Sequence, residues 1–413
     1  MRGMRRTAGL YLAGVLVSGF GTTAMWIVSG IWVKSLTGSD SLAALTAFAL
    51  WAPALFGPLL GTLADRVRRR PLMVWSNVAM AALLPVLLWM DSADRVWLLF
   101  AVLLVYGAQG AVQDAAEQAL AASALDPRLL GDFNGLRMTV NEAMKLVAPL
   151  VAAGMFARWG GGPVALLDAA TFALAAGVFA LLRVREEPPS RDPLRGRWRT
   201  ETAEGLRIVR ASPVLRALVP AASFTMLLAG LNGAAIYPVV DRGLGHAPAY
   251  AGVLYAVQGA GSVVAGLAAG PLLRRVPEHR LAAGGLALFA LAAGARALPY
   301  DAVALVASAG IGLGLPWVLV AAMTAVQREA PKAAAGRAAA TVNTLVFVPN
   351  ALALALGAGL VALVDVRVLL PVVALAGMAG ALVLTAVSAR RPAERKTGAG
   401  TGAGTGAGTG VGV

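Results

Sequence analysis

The chain has 413 residues, of which 58% are hydrophobic and only 14% are charged, and its formal net charge is +14. An average soluble protein carries about 25% charged residues, so this composition excludes an ordinary soluble domain. The chain has no cysteine and two histidines. These counts exclude disulfides and thiolate metal sites, and they lead us to expect no metal centre.

Apolar blocks of about 20 residues, the length that a helix needs to cross hydrocarbon, follow one another along the chain. The first block is too long for the core of a signal peptide, so it is predicted to be a retained first span. Together the blocks predict twelve transmembrane helices, at residues 9–33, 41–64, 72–90, 96–122, 134–157, 163–183, 214–238, 248–273, 281–299, 302–327, 337–363 and 367–389.

Basic residues are divided unequally between the two sets of loops that twelve spans create. With a cytoplasmic N-terminus, the cytoplasmic segments hold 28 Lys and Arg and the opposite loops hold 6. This is the positive-inside bias, so the net charge reflects topology rather than nucleic-acid binding. Arginine outnumbers lysine by 31 to 4, which suggests a GC-rich bacterial genome. We therefore expect a multi-pass protein of a bacterial inner membrane with both termini in the cytoplasm.

The chain divides near its middle, at its longest polar insertion. That insertion, residues 184–213, is predicted to be a cytoplasmic linker with a short amphipathic helix. The sequence therefore predicts a first six-helix bundle at residues 1–183 and a second one at residues 214–389. The tail at residues 390–413 repeats Thr-Gly-Ala-Gly, cannot bury apolar surface, and is predicted to be disordered.

The loop after the second predicted span carries a compact charged motif. It consists of Gly61, Leu63, Ala64, Asp65, Arg66, Arg68, Arg69 and Arg70. Two six-span halves with this loop resemble the major facilitator superfamily, although the second glycine of the usual motif is missing. The Asp-Arg-x-x-Arg-Arg form is similar to the branch that contains macrolide exporters and the enterobactin exporter. The resemblance implies an all-α integral membrane fold, with twelve transmembrane helices in two pseudo-symmetric six-helix bundles.

In that family the loop latches the two halves together on the cytoplasmic side. The Asp65 carboxylate can cap a facing helix N-terminus, which the helix dipole favours, or pair with a basic side chain. The predicted gating residues are Gly61, Asp65, Arg66, Arg69, Arg70 and Arg337, the last as a partner for the carboxylate. The alternative is that these charges only set topology.

The fifth predicted span differs from the pattern of many exporters in the superfamily. Those exporters often carry a Gly-Pro…Gly-Gly element there, whereas this chain keeps Pro149 and has alanine at two of the glycine positions. Small residues still allow helices to approach closely. We predict that Pro149 kinks this span.

Charged residues are concentrated in the fourth and fifth predicted spans. Each costs about 2.5–3.5 kcal/mol inside a membrane, so such residues usually face a partner or water. Spacings of three and four residues place each set on one helical face, which predicts a polar zipper between the two spans. Its members are Asp114, Glu117, Arg137, Asn141, Glu142 and Lys145. Two hypotheses stay open: a structural ion-pair network, or a proton that binds to and leaves Asp114 or Glu142.

The remaining polar residues inside spans are scattered, and Asp168 and Asn350 receive no role. Transporter sites lie near the membrane midplane between the halves, and ligand pockets are mostly apolar with a few polar groups. We therefore predict a substrate cavity near Trp26, Gln109, Asn232, Gln258 and Asn343, although each of them could serve helix packing instead. The scarcity of charge favours a lipophilic or neutral substrate.

These features favour a proton-coupled exporter of a lipophilic small molecule, such as an antibiotic or other secondary metabolite, by alternating access. We expect the proton gradient in place of a cofactor, a monomer in the lipid bilayer, and no nucleic-acid partner. Uptake or facilitated diffusion on the same fold stays open, as does a non-transporting receptor. A membrane-embedded enzyme is the remote alternative, because the sequence contains no GxSxG, HExxH or P-loop motif.

Overall fold

The computed structural model describes residues 2–56, 67–124, 130–181, 198–331 and 335–389. Within these ranges the regular structure is entirely helical. Nine of the helices found there are long and apolar enough to cross a membrane, and two shorter apolar helices, Asp40–Phe56 and Leu146–Trp159, accompany them. The predicted all-α membrane fold is therefore confirmed, whereas the count of twelve spans stays a prediction.

The described part of the first half contains six α-helices. They are α1 (Arg2–Thr37), α2 (Asp40–Trp51), α3 (Arg69–Leu83), α4 (Val96–Ala124), α5 (Leu130–Trp159) and α6 (Gly161–Leu181). Two of them continue as 3-10 turns, α2 through Ala52–Phe56 and α3 through Leu84–Trp89. The backbone hydrogen bonds of α3 change from the α-helical to the 3-10 pattern at this point because Pro85 has no backbone N–H to donate.

The second half follows a separate helix, α7 (Trp198–Ala211), which lies in the predicted linker. Its long helices are α8 (Pro213–Ala234), α9 (Ala251–Arg275), α10 (Glu278–Ala295), α11 (Asp301–Glu329), α12 (Ala335–Leu363) and α13 (Val366–Ala389). The α-helix of the predicted span at 214–238 ends at Ala234 and gives way to short turns at Ile236–Pro238 and Val239–Gly243.

Each half has its own apolar core. In the first half α1 packs against α5 and α6, and α3 packs against α6; the core there includes Leu84, Leu99 and Phe172. In the second half α10 packs against α11 and α13, and α12 packs against α8. Leu286 and Phe289 lie in that second core.

Large apolar side chains also cover the outside of the bundle. Leu267, Val306 and Leu375 are 76%, 74% and 72% exposed. A soluble protein rarely leaves extended apolar surface uncovered, because contact with water is costly. Acyl chains remove that cost, so these side chains fit a lipid-facing surface.

Successive helices run in opposite directions, which gives both halves two common ends. We call one the Lys34 end: α1 ends there, and α2, α6, α9 and α11 begin there. We call the other the Arg69 end, where α3 begins and α9 ends. The excess of basic residues predicts that the Arg69 end faces the cytoplasm, and this orientation stays a prediction.

Candidate functional site

A buried lysine joins the two halves at the Lys34 end. Lys34, at the end of α1, is only 7% exposed. Its Nζ lies 3.0 Å from Asp40 Oδ1 in the first half and 2.7 Å from Asp241 Oδ2 in the second half. The same ammonium donates to the carbonyl oxygen of Gly38 at 2.9 Å. Three oxygen atoms, two of them from carboxylates, therefore lie within 3.0 Å of the ammonium nitrogen.

A second cation extends this contact. Arg242 Nη2 donates to Asp40 Oδ2 at 2.8 Å and lies 3.3 Å from the carbonyl oxygen of Val361, at the end of α12. Asp40 thus binds one cation from each half, and it stands in the first turn of α2, where the helix dipole favours a carboxylate. We call Lys34, Asp40, Asp241 and Arg242 the charge cluster.

An apolar layer lies directly below the charge cluster. The rings of Trp26 in α1 and Tyr255 in α9 have centroids 5.0 Å apart, at an interplanar angle of 55°. Ile31 of the first half packs with Ile236 and Tyr237 of the second half in the same apolar group. The two halves are therefore closed against each other at the Lys34 end.

Helices α5 and α9 also approach closely within this layer. A Cβ atom added at Gly252 would lie 2.4 Å from the Cβ of Ala153 and 2.9 Å from the carbonyl oxygen of Pro149. No side chain fits there, so only glycine allows this separation of the two backbones. The side chain of Ala153 on α5 is thus accommodated by a glycine on the facing helix.

A fully buried carboxyl group, Asp168, lies inside the first half. Asp168 is 0% exposed and stands seven residues into α6, or about 10 Å from the Lys34 end by the rise of the helix. Tyr106 of α4 donates its hydroxyl proton to Asp168 Oδ2 at 2.9 Å, and Thr171 Oγ1 lies 3.1 Å from Oδ1. A Cβ added at Gly21 of α1 would lie 2.2 Å from Oδ1, so α1 closes over this carboxyl group.

The hydroxyl of Tyr106 has a second partner. Its oxygen lies 3.1 Å from Thr22 Oγ1 in α1. Thr22 is half-buried, whereas Tyr106 and Asp168 are buried. A continuous line of hydrogen-bonding oxygens therefore runs from Asp168 to the α1 face that carries Trp26 one turn later.

Comparison with known proteins decides the family. Residues 11–354 match the family described as Major Facilitator Superfamily. The chain belongs to this superfamily. The resemblance inferred from the loop motif is confirmed, and the superfamily assignment points to a transporter rather than an enzyme.

Two curated relatives of this superfamily member are named as exporters. The chain is 24% identical to macrolide efflux protein A of Streptococcus pyogenes over 212 residues, which are 50% of this chain and 52% of that protein. It is 25% identical over 199 residues to a protein of Bacillus subtilis that is named as a bacilysin exporter, covering 47% and 48% of the two chains. The chain thus spans about half the length of the curated relatives that it matches.

Solved structures of transporters share the fold over nearly the whole chain. The peptide transporter POT in complex with sulfate has a TM-score of 0.72 at 14% identity and covers 93% of this chain and 94% of its own. The nucleoside transporter NupG has a TM-score of 0.72 at 13% identity, with 91% and 99% covered. A bacterial homologue of the iron transporter ferroportin, in an inward-facing state, has a TM-score of 0.68 at 17% identity, with 93% and 98% covered. At these identities the likeness shows the fold alone.

In the superfamily fold, the predicted cavity residues are only partly brought together. Trp26 lies in the apolar layer, and Gln258 is half-buried one turn beyond Tyr255 on α9. The side chains of Gln109 and Asn232 each bury a polar atom that has no hydrogen-bond partner among the described residues. Asn343 is exposed on α12. The cavity assignment of all five residues stays a prediction.

The predicted polar zipper can be followed on one of its two helices. Glu117 is 6% exposed and accepts a hydrogen bond from Gln113 at 3.0 Å. Gln113 Oε1 in turn accepts from Asn77 of α3 at 3.1 Å. Asp114 is exposed. The side chains of Arg137, Asn141, Glu142 and Lys145 lie outside the described residues, so pairing across the zipper stays a prediction.

The superfamily loop motif is likewise described only at its end. Gly61, Asp65 and Arg66 lie outside the described residues, whereas Arg69 and Arg70 begin α3. Arg70 donates to the carbonyl oxygens of Phe179 and Ala180, near the end of α6. The latch role of the motif stays a prediction.

Arg337, the proposed partner of the Asp65 carboxylate, has a defined position. Its Nε and Nη2 lie 3.0 Å and 3.1 Å from the two carboxylate oxygens of Glu204, which stands in α7. This ion pair binds the linker helix to the start of α12.

Sequence reasoning missed two groups of residues. Lys34 and Asp241 were not among the residues predicted from the sequence, although opposite charges recur in the loops after the first and seventh predicted spans. Asp168 received no role, although it is the only acidic residue in the predicted span at 163–183. For the loop charges the signal was this recurrence, and for Asp168 it was a lone acidic residue inside an apolar span.

Proposed function

We propose that the chain is a proton-coupled exporter of a lipophilic small molecule that works by alternating access. In such a mechanism the two halves rock about a central site, which opens to one side of the membrane at a time. The mechanism requires contacts that close one end and that can separate again.

The charge cluster with the apolar layer below it is the observation that carries this proposal. Lys34 contacts Asp241 across the two halves at 2.7 Å, and Trp26 contacts Tyr255 in the layer beneath. The ion pairs are discrete and the aromatic faces are separable, because neither contact is covalent or part of a continuous helix. A closed Lys34 end corresponds to a site that opens toward the Arg69 end.

Export is favoured over uptake by the names of the curated relatives. Both matched proteins are named for efflux, one of macrolides and one of bacilysin. Uptake on the same fold is the second candidate, because solved transporters of peptides and nucleosides share the architecture.

A lipophilic or neutral substrate is favoured by the side chains around the closed layer. Trp26, Tyr237 and Tyr255 offer aromatic faces, and Gln258 offers an amide nearby. Pockets built from aromatic surface with a few polar groups suit molecules of this class.

Transport in membrane vesicles tests the proposal. Everted vesicles that contain the chain are energised to an acidic interior and supplied with radiolabelled erythromycin or a labelled hydrophobic dipeptide. We expect accumulation several-fold above vesicles without the chain, and its loss when a protonophore is added. Accumulation that survives the protonophore would contradict proton coupling. Accumulation only in right-side-out vesicles would establish uptake, and accumulation of neither probe in either orientation would contradict the proposed substrate class.

A further inference from the structure

We propose that Asp168 binds the coupled proton and that Tyr106 and Thr22 connect this carboxyl group to the space between the two halves. The inference rests on the proposed proton-coupled function and names the residue that carries the coupling. It differs from the sequence hypothesis, which assigned the proton to Asp114 or Glu142.

The partners of Asp168 differ from those of the described carboxylates that form ion pairs. Asp40 and Glu204 each contact an arginine, and Asp301 contacts His246 at 2.9 Å. The described partners of the Asp168 side chain are instead the hydroxyls of Tyr106 and Thr171. A carboxylate that an arginine holds has a permanent counter-charge, whereas hydroxyl partners suit a group that gains and loses a proton.

Charged groups on the helices packed around Asp168 lie at other heights along the bundle axis. On α1, Lys34 is twelve residues beyond Thr22, about 18 Å by the helix rise, and is held in the charge cluster. On α3, Arg70 binds carbonyl oxygens near the far end of α6. On α4, Asp114 is eight residues beyond Tyr106, or about 12 Å.

Helix α5 contributes Arg158, which is exposed near the Lys34 end. It also contributes Glu142 and Lys145, whose side chains lie outside the described residues. By the helix rise, the backbone of Lys145 is roughly 10 Å farther from the Lys34 end than the backbone of Asp168. The nearest described titratable group is therefore the Tyr106 hydroxyl itself.

The hydroxyl groups of Tyr106 and Thr22 can form hydrogen bonds with both protonation states of Asp168. When Asp168 is ionised, Thr22 donates to the Tyr106 oxygen across 3.1 Å, and Tyr106 donates to Asp168 Oδ2 across 2.9 Å. When Asp168 is protonated on Oδ2, it donates to the Tyr106 oxygen and Tyr106 donates to Thr22. Each hydroxyl has one proton to donate and can also accept. One proton is added to one carboxylate oxygen, every other group keeps its proton count, and no hydrogen bond is lost.

The hydrogen bonds from Asp168 through Tyr106 to Thr22 also lead toward the region where the two halves meet. Thr22 is half-buried, and Trp26 lies one turn further along α1, where it contacts Tyr255 of the second half. Because a residue and the one four places later share a helix face, Thr22 and Trp26 project from the same side of α1. A proton entering from the space between the halves can thus reach Asp168 through two hydroxyls.

Infrared difference spectroscopy tests the proton site without any substrate. Reconstituted protein is compared in acidic and alkaline buffer, and the carbonyl stretch of a buried protonated carboxyl group is followed. We expect the wild-type chain to show such a band, Asp168→Asn to lack it, and Asp114→Asn to keep it. A band that persists unchanged in Asp168→Asn would overturn the proposal.

Tyr106→Phe keeps the proposal testable if Asp168→Asn does not fold, because it removes one oxygen atom only. Each protonation state of Asp168 uses the lost hydroxyl differently, so we expect the midpoint of the titration to move by about one pH unit. An unchanged midpoint and band would show that Tyr106 does not contact the titrating group, and would overturn the proposal.

Vesicle transport then tests coupling. We expect Asp168→Asn to lower proton-driven erythromycin accumulation at least tenfold while Asp114→Asn retains it. Failure of the wild-type chain to respond to a proton gradient would reject the proposed function, even with the infrared band present. A wild-type chain that responds, together with an Asp168→Asn variant that responds equally, would reject only the present inference.

Discussion

At the scale of single residues, the charge cluster shows that a charge at a helix end can do more than set topology. Lys34 is almost fully buried, and the free energy of removing its ammonium from water is offset only when the geometry is good. Two carboxylates and one carbonyl oxygen provide that geometry. Asp241 comes from a part of the chain two hundred residues away, so a single sequence gives no means of pairing the two.

Removing one carboxylate of the cluster is expected to open the Lys34 end. Asp241 is 47% exposed and Lys34 is 7% exposed, so this ion pair is intermediate between a surface ion pair and a buried one. We expect Asp241→Asn to shift the equilibrium between closed and open halves by about 1–2 kcal/mol, or roughly 5–30-fold. The measurement is the rate at which an impermeant maleimide, added at the Lys34 side, labels a Gln258→Cys variant.

The chain contains no native cysteine, so this label reports one site. Asp91→Asn is the matched control, because Asp91 and Arg95 form an ion pair at the same end of the bundle and are 66% and 51% exposed. Exposed pairs contribute about 0–1 kcal/mol, so the labelling rate should not change. Equal acceleration by both variants would mean that general loss of surface charge, and not the cluster, controls the opening.

Asp168 illustrates a different limit of residue-level prediction. Its position as the only acidic residue of the predicted span at 163–183 is visible in the sequence, as is the existence of Tyr106. The sequence does not reveal that the two lie 2.9 Å apart across α4 and α6, because that distance depends on how two non-adjacent helices rotate about their axes. The polar zipper was more conspicuous only because its charges are close together along the chain.

At the scale of elements, the helices lie where long apolar blocks predicted them, and the differences have local causes. The α-helical part of the third span begins three residues earlier than predicted and ends at Leu83, because Pro85 interrupts the ladder. Ser39 and Ser212 mark the starts of α2 and α8 by accepting hydrogen bonds from Leu42 and Leu215. Capping residues of this kind are recognisable in a sequence.

The close approach of α5 and α9 gives a prediction about helix contact. Gly252→Val should keep the Lys34 end from closing, because even the first side-chain carbon would lie 2.4 Å from the Cβ of Ala153. Overpacking of this kind costs about 1–3 kcal/mol, which we expect to reduce the closed population several-fold and to slow transport. The same maleimide labelling of Gln258→Cys measures the closed population.

Gly266→Ala is the matched control on the same helix, because an added Cβ there meets no atom within 4 Å. It should leave labelling and transport unchanged. If Gly252→Val labelled at the wild-type rate, the contact between α5 and α9 would not limit closure.

At the scale of the whole molecule, the sequence was enough to predict an all-helical membrane protein in two halves. Both inferences use properties that are independent of packing: the length of apolar blocks and the position of the longest polar insertion. The way the halves meet was not predictable. It depends on Trp26 facing Tyr255 and on Asp40 facing Arg242, contacts between segments far apart in sequence.

Orientation in the membrane gives the last prediction. The excess of basic residues predicts that the linker and the Lys34 end face opposite sides. Single cysteines introduced as Arg195→Cys and Asp94→Cys should therefore react with an impermeant maleimide from opposite sides, the first from the cytoplasm. Labelling of both from one side would overturn the topology and the direction of transport that depends on it.

The ion pair between Glu204 and Arg337 determines to which of the two halves the linker helix α7 is attached. Helix α7 is bound to the start of α12, so it belongs mechanically to the second half although it precedes that half in sequence. The boundary between the two halves therefore lies before Trp198, where α7 begins. A fluorophore on the exposed side of α7, paired with one on α3, would report any movement of one half against the other.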